Sequence, residues 1–142
     1  MKSQNLSNHG RFVPLYHFVA LLGSLFLLVG AIVNLVKVSE ENLYDASLLA
    51  FGALLLLLTA FYARVFALKA QDRAIKAEEN FRHYVLTGKL LDSKLTVRQI
   101  IGLRFASDEE FVELAQKAAT ENLSEKEIKK SIKNWKADNY RV

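Results

Sequence analysis

Phe12–Val36 contains no Asp, Glu, Lys or Arg, and this uninterrupted run constrains the chain more than any other feature. Wound as an α-helix it reaches about 37 Å, enough to cross a hydrocarbon core of about 30 Å with some tilt. A second run, Ala46–Ala63, lies between Asp45 and Arg64 and reaches about 27 Å. It can lengthen through Val65, Phe66, Ala67 and Leu68, because an arginine near a span end can snorkel to the interface. Phe12, Tyr16, Phe18, Tyr44, Phe61, Tyr62 and Phe66 gather near the ends of the two runs, where interfacial aromatic belts belong.

The chain as a whole is 51% hydrophobic, close to the soluble average, so the concentration of apolar residues carries the argument. A cleavable leader has an apolar core of about 7–15 residues and a small-residue cleavage site, and the first run fits neither. Two buried helices of a soluble protein would need an apolar partner that the charged remainder does not supply. The expected architecture is therefore a transmembrane helical hairpin with spans near 12–36 and 46–66. Small residues at helical spacing, Ala20, Gly23, Ser24, Gly30, Ala31 and Asn34 in the first span and Ala46, Ala50, Ala53 and Ala60 in the second, let backbones approach closely. Such stripes serve either this hairpin or a partner subunit.

Lysine and arginine placement sets the orientation. Lys2 and Arg11 flank the first span, and Arg64, Lys69, Arg73, Lys76 and Arg82 follow the second. The connection between the spans holds Lys37 against Glu40, Glu41 and Asp45. By the positive-inside rule both termini are cytoplasmic. The net charge of +4 is first a topological signal, with Arg64, Lys69, Arg73 and Lys76 placed to meet lipid headgroups. Acidic residues interleave with the basic ones through the tail, which argues against nucleic acid as a partner.

No proline or glycine interrupts the second helix before Gly88, so it is expected to continue past the bilayer as an amphipathic juxtamembrane helix. Three capping boxes follow: Thr96–Gln99, Ser107–Glu110 and Ser124–Glu127. In each, the hydroxyl serves the N3 amide and the N3 side chain reaches back. They predict helices near 97–104, 108–121 and 125–137. The inward faces read Ile100, Ile101 and Leu103 with Phe105, then Phe111, Val112, Leu114, Ala115 and Ala118, then Ile128, Ile132 and Trp135. About 54 residues is near the lower limit for a core that stands alone, so the tail is expected to lean on the juxtamembrane helix, the membrane or a partner. The fold class is all-α, divided as 1–11 N-terminal segment, 12–68 hairpin, 69–88 juxtamembrane helix and 89–142 helical tail.

Several strings are distinctive: Gln4-Asn5 with Asn8-His9 and Arg11, Gln71-Asp72-Arg73 with Glu78, Leu103 to Glu110, Glu121 to Ser124, and Ile128 to Trp135 with Asp138 and Arg141. On these the chain resembles a family of small bacterial two-span membrane proteins classed as a domain of unknown function, some members of which are labelled transporter permease. The resemblance covers nearly the whole length and implies a bacterial inner-membrane location, with no known activity, ligand or catalytic residue.

Catalytic motifs are missing from the sequence: no P-loop, nucleophile elbow, zincin helix or dinucleotide fingerprint is present. The chain has no cysteine, which excludes disulfides and thiolate metal sites. Glu79 and His83 share one helix face, half of a metal site at most. His9 and His17 are expected at the membrane interface. Asp108, Glu109 and Glu110 sit where carboxylates complement a helix dipole. No cofactor, metal or enzymatic activity is expected. The expected role is an accessory or scaffold subunit with membrane protein partners, the alternatives being a tethered module that recruits a soluble protein and a homo-oligomeric transport subunit. The candidate interface residues are Gly23, Gly30, Asn34, Arg73, Arg104 and Trp135.

Overall fold

A computed structural model describes residues 4–138; Lys2, counted in the charge asymmetry, and Arg141, part of the resemblance, lie outside them. The fold is all-α and divides into two compact units. One holds Phe12–Ala67, and the other holds the described residues 4–11 with 68–138.

In the first unit, α1 spans Leu15–Lys37. It is wound as a π-helix over Leu15–Leu22 and as an α-helix over Gly23–Lys37. The apolar run begins at Phe12, yet the helix begins after Pro14. The proline ring disfavours helical geometry in the residue before it and suits a helix start. Val38 is extended, a 3-10 turn covers Glu40–Asn42, and α2 begins at Leu43. It starts earlier than the apolar run because Asp45 fits the first turn, where a carboxylate meets the positive end of the helix dipole.

α2 runs Leu43–Thr87 and contributes residues to both units. It ends where expected, at Gly88, whose φ of +72° places it in the left-handed region that glycine adopts without strain. α1 and α2 close on a narrow seam: Ser24, Ala31, Ala46 and Ala53 are each 2–3% exposed. Each pair is seven residues apart, two helical turns, so one line of small side chains meets another. The Tyr16 hydroxyl donates to the Ala60 carbonyl at 2.9 Å. The broad stripe expected on α1 is thus used in part. Gly23, Gly30 and Asn34 are exposed: Gly23 and Gly30 each adjoin a seam residue and point about 100° to the side, and Asn34, three residues past Ala31, points about 60° off the seam.

The second unit carries α3 (Val97–Leu103), α4 (Asp108–Glu121) and α5 (Glu125–Ser131). Leu103, Phe105, Ala106, Phe111, Ala118 and Ile128 are fully buried. Ile75 of α2 and Leu91 and Leu95 of the following loop join them in one core, so the tail does lean on the continued helix. α3 and α5 approach closely at Gly102, where a Cβ would lie 3.2 Å from the Glu125 carbonyl and from the Ile128 side chain. α4 turns into α5 through Asn122 at φ 51°, a residue type that tolerates the left-handed region.

All three helix starts fall where the capping boxes put them, but only two boxes form. Thr96–Gln99 and Ser124–Glu127 make both reciprocal bonds. At Ser107 the reciprocal partners are diverted: its amide donates to the Asn134 carbonyl at 3.0 Å, and Glu110 accepts the amides of Lys133 and Asn134 at 3.1 and 2.9 Å. The same contacts end α5 at Ser131, six residues short of the expected 137. Ile132 turns extended, Trp135 bridges Ala106 in antiparallel fashion, and the Lys136 amide donates to the Phe105 carbonyl at 2.8 Å. Ile132 is buried and Trp135 half-buried, reached by extended chain rather than by one helical arc.

The two serines should therefore differ. Ser124→Ala is expected to cost about 1 kcal/mol, the usual loss for a cap, and Ser107→Ala markedly less. Denaturant unfolding of the detergent-solubilised full chain, followed by circular dichroism, measures both.

Candidate functional site

Within the first unit, Gly23 and Gly30 have open space around them: a Cβ at either meets nothing within 4 Å. With Asn34 they leave a strip of small and polar surface on α1 that the hairpin does not use. At the opposite end of α1, Phe12, Tyr16 and His17 cluster. His17 stacks on Phe12 at 4.4 Å, and the Arg64 guanidinium lies 5.8 Å over the Tyr16 ring. An arginine within about 6 Å of a ring face is in cation–π range.

The polar centre of the second unit is Arg82 of α2. Its guanidinium donates to Asp108 at 2.6 Å, to Glu79 at 3.0 Å and to the Ala106 carbonyl at 2.7 Å, and it lies 4.2 Å over the Phe111 ring. Glu79 is 8% exposed. Burial pushes its carboxyl above the ordinary value, and Arg82 opposes that shift without cancelling it. Glu79 and His83 were the half-site for a metal. Here they are drawn into separate tasks, since His83 Nδ1 donates to the Lys89 carbonyl at 2.7 Å. Among the described residues no group of three or more His, Asp or Glu could hold a metal ion.

Arg104 is 8% exposed, 3.4 Å from Asp138 and 4.6 Å over the Phe105 ring. As a candidate interface residue it has little surface to offer; it braces the unit from within. Trp135 packs its ring on Phe105 at 5.1 Å and leaves its other side partly open. His9, expected at the membrane interface, instead lies against Phe105 and Trp135 at 5.6 and 5.8 Å. Gln4 exchanges two hydrogen bonds with the Asp138 backbone, at 3.1 and 2.9 Å. Arg73, Lys69 and Lys76 are exposed on α2.

Sequence reasoning missed Arg82 as a hub, counting it only among topological charges. Its i, i+3 spacing to Glu79 was the available signal. It also missed a cleft of about 580 Å³ between the end of α2, the following loop and α4, lined by His83, Thr87, Leu91, Leu95, Val112 and Gln116 among others. Its apolar floor and polar rim suit a peptide side chain or a small amphipathic molecule.

The raised Glu79 carboxyl has a consequence for stability. Below the ordinary value of 4.5 folded and unfolded chains both hold the proton, and the contribution is fully present. As pH rises through the window between the ordinary and the raised value, the unfolded chain releases its proton first and stability is lost. Relative to wild type, Glu79→Gln should lack that decline, read as the difference between two curves of unfolding free energy against pH.

A search of curated proteins and of solved structures returns no match. The profile of the Family of unknown function (DUF6526) matches residues 1–142, the whole chain, and the chain belongs to that family.

Proposed function

We propose that this chain is a two-span protein of the bacterial inner membrane, with both termini cytoplasmic, acting as a non-catalytic accessory or scaffold subunit of a larger membrane complex. α1 and α2 are each long and apolar enough to cross a membrane, and only 11% of each apolar window is buried within the chain. The observation that carries the docking role is the division of α1. Ser24 and Ala31 close the hairpin, while Gly23, Gly30 and Asn34 stay open. In lipid, helix association depends on close packing and polar contacts, and small residues with one amide supply both. Arg64, Lys69, Arg73 and Lys76 then meet headgroups on the cytoplasmic side. A second reading, a tethered module that recruits a soluble protein, is favoured by the cleft beside α4.

Two measurements test these readings. Protease added to sealed right-side-out cells is expected to leave a C-terminal tag intact, and a clipped tag overturns the orientation. Native-membrane pull-downs of Gly23→Leu are expected to lose membrane partners while the hairpin stays folded, because the added side chain meets open space. Leu25→Ile should retain them. Partners that survive Gly23→Leu but depend on Val112 or Gln116 favour the second reading.

A further inference from the structure

The second unit covers one face of α2, the face of Ile75, Glu79 and Arg82. On the other side, Ala70, Ala74, Ala77, Phe81 and Tyr84 are all exposed, Phe81 to 68% and Tyr84 to 53%. Their spacing is four, three, four and three residues, the a/d pattern of a coiled-coil seam. The helix carries no other apolar line of this regularity between residues 68 and 87. Assigning Ala70, Ala77 and Tyr84 to d and Ala74 and Phe81 to a puts Arg73 at a g position and Glu78 at the next e position. In a parallel, in-register pair, g of one helix faces e of the following heptad on the other. In the dimer Arg73 thus meets Glu78 of a second copy in place of a headgroup, which leaves Arg64, Lys69 and Lys76 for the lipid, and the two-fold axis makes the contact twice.

The geometry points to a second copy of this chain as the occupant of that face: the cytoplasmic part of α2 forms a parallel, two-stranded coiled coil along Ala70, Ala74, Ala77, Phe81 and Tyr84. This rests on the two-span reading above, because copies inserted the same way present α2 in the same direction. Two heptads fall short of the three or four that a free-standing coiled coil wants. Confinement to one membrane supplies the missing association by raising the effective concentration. The alanines suit close approach near the bilayer, and the two rings add buried area further along. This surface lies on α2 and is separate from the Gly23–Gly30 strip on α1, so self-association and partner docking do not compete for one face.

The chain has no cysteine, so single cysteines report the geometry in native membranes of the full chain. Ala70→Cys, Ala74→Cys and Ala77→Cys should each form a disulfide-linked dimer under mild oxidation, whereas Lys69→Cys and Lys76→Cys, off the seam, should not. Links at Ala77 alone would mark an antiparallel pair. Either that result, or equal or absent linking at all five positions, overturns the proposal. In the Ala74→Cys background, Arg73→Glu and Glu78→Arg should each lower the linked fraction by roughly three-fold or more, and the two together should restore it. Failure to restore overturns the register. A membrane-impermeant maleimide applied to intact cells separates the two readings. Labelling of Lys76→Cys from outside refutes the cytoplasmic placement, whatever the disulfide pattern shows.

Discussion

One guanidinium holds the second unit together. Arg82 reaches the first residue of α4, the carbonyl of Ala106 and the buried Glu79, and its flat face covers Phe111. Each of these groups has a further task. Asp108 stands at the dipole of α4, Ala106 pairs with Trp135, and Phe111 is fully buried in the core. A planar, permanently charged donor array can satisfy all of them at once, which a lysine cannot. Removing it would strand a buried carboxylate and an acceptor together, the costly way to break an ion pair.

α2 sorts its residues by face. Ile75, Glu79 and Arg82 look into the folded unit, while Ala74, Ala77 and Phe81 look away from it. With apolar residues on two sides, the helix does not reveal by its pattern alone which face packs inward. The polar positions between the two faces, Arg73 and Glu78 among them, separate the internal contacts from the outward ones.

Local signals in the sequence were legible, and non-local ones were not. Helix starts at Val97, Asp108 and Glu125 are marked by a serine or threonine and its neighbours within four residues, so they can be read directly even where, as at Ser107, the box itself does not form. The end of α5 depends on Glu110 and the Phe105 and Asn134 carbonyls, which are distant in sequence. Ile128, Ile132 and Trp135 fit a helical arc equally well, so local pattern alone extends the helix past Ser131. For the candidate interface, the small residues of α1 were visible, but nothing in a single sequence separates Gly23 from Ser24 as the one facing the hairpin. Nothing in the sequence marks Arg104 as buried, because Asp138, which pairs with it in the folded chain, comes 34 residues later.

The paired bonds between Gln4 and the backbone of Asp138 join residues 134 positions apart. Gln4 leaves the ribosome before either apolar helix exists, and Asp138 emerges after both are complete. Folding of the second unit therefore cannot finish in the order of synthesis. Residues made early must wait, through synthesis of everything between, for residues made late. Until then His9 has no Trp135 to pack on, and Phe105 remains uncovered on that side. The order of assembly is written into which ends meet.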